Sequence, residues 1–219
     1  MKTFLSIGSG PGIGLASAER FAREGYRVVL TSRNQDTLGE RVKALQAAGH
    51  TAVGHYADAS DIASVVKLVG EVESEFGSID VLHFNSAALH DGTIAQQSIE
   101  GFVQDLTTNI GSAFAAVKEA SRGMLLRQAG TLLLTGGGYG ITPNADFISL
   151  SVGKAGLRNL ALGLFETLKG QGVHIATVTV KAQVAEHPEQ TRDIADLFWA
   201  LHAQPSDHWT AEAVFSGAQ

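Results

Sequence analysis

The sequence predicts an α/β fold, a parallel sheet with helices on both of its faces. Three observations carry that expectation. Short apolar runs alternate with longer amphipathic segments, as βαβ units require. A glycine-rich turn joins the first run to the first helix. The run Thr131-Leu132-Leu133-Leu134-Thr135 is apolar on both sides, which suits a strand buried in a parallel sheet.

Taken in order, Phe4–Ile7 reads as a first strand, and a helix from about Gly12 to Glu24 is stopped by Gly25. Arg27–Thr31 is a second strand, and the helix Asp36–Ala48 is closed by Gly49. Thr51–Tyr56 is a third strand, with a helix from the cap candidate Ser60 to Gly77. Asp80–Phe84 is a fourth strand. Two helices follow, about Ile99–Asn109 and Ser112–Gln128, with Gly111 at their junction. After the fifth strand, Thr131–Thr135, a long helix covers Asp146–Lys169, and Val173–Val180 is a sixth strand. A helix near Asp193–Leu201 and a short strand at Ala213–Phe215 end the chain. Right-handed crossovers then give a doubly wound, Rossmann-type sheet in three α/β/α layers.

Composition narrows the function classes. Hydrophobic residues at 44% and charged residues at 17% suit a globular chain rather than a disordered one. No apolar run is long enough to span a membrane, and Met1–Ile7 reads as a strand rather than a signal peptide. The absence of cysteine excludes disulfides and thiolate zinc sites and agrees with a cytoplasmic location. A net charge of −6 with no basic cluster gives no reason to expect nucleic acid. No linker divides the 219 residues, so a single dinucleotide-binding domain over 1–219 is expected.

The turn Gly8-Ser9-Gly10-Pro11-Gly12-Ile13-Gly14 supplies the chemistry behind that expectation. Glycines let the backbone turn sharply and approach a pyrophosphate, and the helix N-terminus offers free amides and a positive dipole end. A glycine triplet alone is weak evidence; its place between a strand and a helix strengthens it.

The spacing of Gly8, Gly12 and Gly14, with Ile13 between the last two, resembles the short-chain dehydrogenase/reductase family over nearly the whole chain. The resemblance implies a single-domain Rossmann fold that acts on alcohols and carbonyls with NAD or NADP. It further implies cofactor contacts from Gly8, Ser9, Gly12, Ile13 and Gly14. Asp58 matches the family's acidic residue near the adenine. Phe84-Asn85-Ser86-Ala87 stands in the place of its Asn-Asn-Ala-Gly motif and keeps only the second asparagine. Asn109 fits the family's helix asparagine, and Lys154 its active-site lysine.

The end of the second strand chooses between cofactors. A carboxylate there accepts from a ribose 2′-OH, whereas an arginine pairs with a 2′-phosphate. Thr31-Ser32-Arg33-Asn34 carries no carboxylate before Asp36, so NADP(H) is preferred to NAD(H), with Ser32 and Asn34 as polar helpers. The competing reading makes Arg33 a solvated residue at the start of a helix.

The catalytic set is incomplete. In the family a tyrosine four residues before the lysine exchanges a proton with substrate, and a serine on the preceding strand-end loop holds the substrate oxygen. Residues i and i+4 share a helix face, so the partner of Lys154 is position 150, which is Leu150. Gly137 stands at the expected serine. Ser149 and Ser151 flank position 150 but point about 100° away around the helix. Tyr139 is the replacement acid that sequence alone suggests, and a packed loop tyrosine is the simpler alternative. Lys154 is expected to keep a cofactor ribose contact, with a solvated helix lysine as the alternative. Asn109 reads equally as a residue that kinks its helix.

The end of the chain departs from the family as well. Val180–Val184 lacks the Pro-Gly turn found after the sixth strand, so the substrate lid is expected to be short or absent. The eight histidines form no helical metal pair, and no nucleophile elbow is present. His83 is expected in or near the core, and Phe198, Trp199 and Trp209 are expected to pack the tail or line a subunit contact. The expectation is therefore an NADP(H)-binding oxidoreductase with a divergent active site and a small-molecule substrate. The competing class is a catalytically silent dinucleotide-binding protein that senses redox state or supports a partner. The resemblance also implies a homodimer or homotetramer built through the helices at 112–128 and 146–169.

Overall fold

A computed structural model describes residues 1–182, 184, 187 and 189–217. The strands are β1 (Thr3–Ile7), β2 (Arg27–Ser32), β3 (Ala52–Tyr56), β4 (Val81–Phe84), β5 (Gly130–Gly137), β6 (Val173–Val180) and β7 (Glu212–Phe215). They form one sheet in the order β3-β2-β1-β4-β5-β6-β7, and every neighbouring pair is parallel. The helices are α1 (Ile13–Arg23), α2 (Gln35–Ala47), α3 (Ile62–Phe76), α4 (Ile99–Leu106), α5 (Ser112–Arg127), α6 (Ile148–Lys169) and α7 (Gln190–His202).

Alternation along the strands divides the core into two layers. Leu5, Val29, Leu82 and Leu132 face one side, where they pack with Val65, Val72, Ala116 and Leu157 of α3, α5 and α6. Phe4, Val28, Val81 and Leu133 face the other, with Phe21, Leu38 and Phe198 of α1, α2 and α7. Phe198 is fully buried, and Trp199 stands edge-on to Phe21, so the tail packs onto α1. Trp209 stacks on His174 at 4.8 Å. Among the described residues no helix is long and apolar enough to cross a membrane.

Several boundaries differ from those expected. The helix through residues 99–127 does not break at Gly111, which keeps a right-handed helical backbone. A π-helical turn, Thr107–Gly111, instead joins α4 to α5 and rotates Asn109 into a buried position. At the start of α6, Asn144 accepts from the Asp146 amide at 2.9 Å, and Ala145–Phe147 forms a separate 3₁₀ turn before Ile148. β5 runs two residues past Thr135, because Gly136 and Gly137 pair with Thr179 and Val180. α7 starts at Gln190, earlier than expected. Of the segment 180–184 read for a lid, Gln183 lies outside the described residues.

Candidate functional site

Strand order reverses at β1, which lies between β2 and β4, and loops from successive crossovers part there. A cleft of about 610 Å³ opens at that point. It is lined by Gly8–Gly10 of the glycine turn, the ends of β2 and β3, the chain from Asn85 to His90, and Gln104, Asp105 and Thr108.

The turn is built on close approaches. Gly8 adopts φ +90°, and a Cβ there would come within 2.6 Å of Ser86 Oγ. A Cβ on Gly14 would strike the Gly8 carbonyl and lie 2.9 Å from Asn85 Nδ2. At Gly10 and Gly12, by contrast, a Cβ would meet nothing within 4 Å, so that side of the turn is open. α2, α3 and α4 carry side-chain caps from Asn34, Asp61 and Ser98, whereas α1 has no side-chain cap and no acidic residue in its first turn. Its positive end faces the open side of the glycine turn without compensation, which fits an anion.

Three of the expected contacts make hydrogen bonds within the protein. Ser9 is fully buried; its hydroxyl donates to the Ser6 carbonyl at 2.9 Å and accepts from the Thr31 amide at 3.0 Å. Its side chain therefore fixes the turn to β2, and only its backbone reaches the cleft. Asn34 Oδ1 caps α2 by accepting from the Thr37 amide at 3.1 Å, and Ser32 Oγ accepts from the Asn34 amide. Ile13 packs against the core layer of Phe4 and Phe21.

Arg33 is exposed at the cleft, near Asp58. Burial works against the charge on Asp58, but the Ser60 amide at 2.9 Å, the Ser60 hydroxyl at 2.7 Å and the Arg33 charge hold its carboxyl below the usual range. Arg41, from α2, donates to the Ser9 carbonyl at 2.9 Å. Sequence reasoning missed Arg41, since one arginine on an exposed helix carries no signal.

Behind the turn runs a polar chain through the sheet. Asn85 Nδ2 donates to the Gly8 carbonyl at 2.9 Å, and its Oδ1 accepts from the Thr135 hydroxyl at 2.9 Å. His83 Nε2 lies 3.0 Å from the same hydroxyl, which is already donating, so His83 donates there. Burial and the nearby Lys154 push the His83 imidazole down to about 3, so it is a neutral core histidine. Lys154 donates to the Thr135 carbonyl at 2.7 Å, and burial lowers its ammonium to about 8.

The remaining candidates divide. Leu150 is buried, and the stem of Lys154 fills the space beside Gly137, 3.3 Å from where a Cβ would stand. Ser149 and Ser151 turn away from position 150: Ser149 donates to Asp105, and Ser151 accepts from the Asn144 amide at 3.1 Å. Asn109 clamps the backbone of Ala88, accepting from its amide at 2.7 Å and donating to its carbonyl at 3.2 Å. Tyr139 does not line the cleft. It stacks on Phe147 with ring centres 5.7 Å apart, and its hydroxyl accepts from Asn144 Nδ2 at 3.4 Å.

The cleft thus collects Gly8, Ser9, Ser32, Arg33, Asp58, Asn85, Ser86 and Ala87, whereas Gly12, Ile13, Gly14, Asn34, Asn109, Gly137 and Lys154 are not among the residues that line it. His90 and Asp105 also lie in that wall and were not expected, because a loop histidine and a helix carboxylate 15 residues apart share no motif. Among the described residues no group of three or more His, Asp or Glu is placed to hold a metal.

Fold and cleft define a doubly wound α/β protein with a glycine turn at the point where strand order reverses. The sequence profile described as short chain dehydrogenase matches residues 2–192, and the chain belongs to that family. A relative from Streptomyces violaceoruber, named as a ketoacyl reductase of granaticin polyketide synthesis, is 32% identical over 165 residues. The chain covers 73% of itself in that match but spans only 60% of the relative's length. The 3-oxoacyl-(acyl-carrier-protein) reductase of Escherichia coli is 27% identical over 195 residues, 89% of this chain and 78% of the relative. Among solved structures, a short-chain dehydrogenase from Rhodopseudomonas palustris superposes with a TM-score of 0.91 at 25% identity, covering 99% of both chains. A metagenomic short-chain oxidoreductase in complex with NADP gives a TM-score of 0.90 at 24% identity, over 98% of this chain and 96% of that one.

Proposed function

We propose that the protein is an NADP(H)-dependent oxidoreductase acting on a ketone or secondary alcohol, with residues 1–219 working as one dinucleotide-binding domain. The observation that carries this reading is the cleft at the strand-order switch, which runs from Gly8–Gly10, in the turn before the uncapped α1, to Arg33. Amides around Gly8, Gly12, Ile13 and Gly14 hold the pyrophosphate. Arg33 pairs with the 2′-phosphate, helped by Ser32, the Asn34 side-chain nitrogen Nδ2 and, behind the turn, Arg41. Asp58 orients the adenine, and Asn85, Ser86 and Ala87 line the middle of the cleft. Lys154 holds the nicotinamide ribose, and Asn109 positions the Ala88 strap. NADPH, when bound, supplies the hydride.

Leu150 and Gly137 stand where the family places its tyrosine and serine, so proton transfer at this site is divergent. Substrates named for relatives range from ketoacyl groups to a chlorinated cyclohexadienediol, which supports the carbonyl/alcohol class and nothing narrower. Exposed Phe114 on α5 and Val152 on α6 support assembly into a homodimer or homotetramer through those helices, and a cysteine-free chain supports a cytoplasmic location.

The test is titration of cofactor-free protein with NADPH and with NADH, followed by quenching of Trp199 and Trp209 fluorescence. Saturable binding that favours NADPH, with NADPH oxidation in a panel of ketones, is the expected result. Binding without turnover would identify a silent dinucleotide-binding protein, and binding of neither cofactor would overturn the reading.

A further inference from the structure

A second polar constellation lies in the cleft wall. The chain after β4 crosses the cleft as a strap and is fastened at two points: Ala88 to the Asn109 side chain, and the Gly92 amide to the Asp146 carbonyl at 2.8 Å. Between them, His90 Nδ1 lies 2.6 Å from Asp105 Oδ1. The other oxygen of Asp105 accepts from the Ser149 hydroxyl at 2.6 Å. Asp105 is 1% exposed and Ser149 fully buried, whereas the His90 side chain is 67% exposed and lines the cleft. Among the described residues no lysine or arginine pairs with Asp105, so its buried charge is balanced by one hydroxyl and one imidazole. Donation from Nδ1 to Asp105 fixes the ring and leaves Nε2, on its opposite edge, toward solvent in the cleft. Ser149, the anchor of this chain, immediately precedes Leu150.

We propose that His90, oriented by Asp105 and Ser149, exchanges the proton with a substrate oxygen in this cleft, the task that Leu150 cannot perform. The inference rests on the dinucleotide-dependent oxidoreductase reading above. In ketone reduction the carbonyl carbon gains hydride from NADPH, and the carbonyl oxygen takes the proton on Nε2 of the His90 imidazolium. The products are the alcohol, NADP⁺ and neutral imidazole, which regains its proton from water. Asp105 keeps Nδ1 protonated and stabilises the imidazolium, the division of labour by which a buried carboxylate supports a catalytic histidine. Ser149 and Asp105 are positioning residues; His90 alone touches substrate.

His90→Asn separates this role from a structural one, because the asparagine amide can still donate to Asp105 but has nothing at the place of Nε2. The expected result with purified protein is a kcat for ketone reduction about 10²–10⁴-fold lower, with the NADPH dissociation constant within about twofold of wild type. A His90→Asn protein that keeps its kcat overturns the proposal and makes the triad a clamp. A wild-type protein that binds NADPH but reduces no ketone in the panel also overturns it, whereas loss of NADPH binding in wild type strikes the cofactor reading itself. A second readout needs no turnover: the proton NMR spectrum of the cofactor-free protein should show a downfield imidazole N–H resonance from His90. That resonance should vanish in both His90→Asn and Asp105→Asn, and its absence in wild type would show that the pair is not formed.

Discussion

Lys154 donates a hydrogen bond to the main-chain carbonyl of Thr135 at 2.7 Å from a side chain that is 8% exposed. The contact joins α6 to the strand whose hydroxyl, on the same residue, holds Asn85 and through it the glycine turn. One carbonyl is thin compensation for a buried ammonium, which is why burial brings Lys154 down to about 8 from an ordinary value of 10.5. Between those values the unfolded chain holds more protons than the folded one, so stability rises with pH across that window. The contribution is complete above the unfolded value and is lost as pH falls through about 8. Lys154→Met should flatten this slope, which amounts to about 3 kcal/mol if the whole shift is realised. Urea unfolding at pH 7.5, 8.5 and 9.5 measures it, below the range where Tyr26, pushed up to about 12, contributes in the opposite sense.

Gly14→Ala should damage fold and cofactor site together. Its methyl would strike the Gly8 carbonyl and press on Asn85 Nδ2, the two partners of one hydrogen bond behind the turn. A loss on the order of 1–3 kcal/mol is expected, with NADPH binding weakened at least tenfold. Gly10→Ala, whose methyl would meet nothing within 4 Å in the cofactor-free protein, should leave stability within about 0.5 kcal/mol while obstructing the pyrophosphate. Thermal unfolding and NADPH titration of both proteins separate the two effects.

Arg33→Ala should cost NADPH affinity roughly 10- to 100-fold and leave NADH affinity nearly unchanged, the signature of a charge-assisted contact to the 2′-phosphate alone. Equal losses for both cofactors would place Arg33 elsewhere on the ligand. Removing the arginine also removes one of the influences that lower Asp58, so the carboxyl should titrate higher in the variant.

Acid should unfold the protein through its buried histidines. Burial lowers His83 to about 3 and His202 to about 4, and it lowers His174 as well. Each folded value lies below the unfolded one, so the unfolded chain binds more protons as pH falls below about 6.5 and stability drops progressively. For His83 alone the loss is on the order of 4 kcal/mol by pH 3. Circular dichroism across pH 7 to 3 should show cooperative loss of structure, shifted to lower pH in a His202→Gln protein that keeps a donor and acceptor for Tyr26 and Thr131.

Tyr139→Phe should leave NADPH binding and ketone turnover within about twofold of wild type, because its hydroxyl bonds to Asn144 and its ring is held by Phe147. A hundredfold loss would return the tyrosine to the chemistry and weaken the case for His90. Both outcomes are read from the same kinetic assay.

The glycine turn and the alternation of strands and helices were legible in the chain itself. Each is local, a periodicity or a fixed spacing within one turn or one helix face, and local rules need no knowledge of what packs against them. Boundaries were less secure where tertiary contacts overrode propensity: Gly111 does stand at the junction of two helices, but the first ends at Leu106 and a π turn that buries Asn109 fills the gap. Ser9 and Asn34 were read as cofactor contacts, yet Ser9 Oγ and Asn34 Oδ1 bond within the frame, and spacing cannot say which partner a polar atom will choose.

The sequence by itself therefore determined the class of protein and its fold, because both rest on periodicity and on one local turn. Only the tertiary structure decided what stands in the cleft. His90, Asp105 and Ser149 come from a loop and two helices, and no periodicity links them. They meet because the strap after β4 is pinned to Asn109 and Asp146, and because a carboxylate buried between helices must find donors wherever the packed chain supplies them.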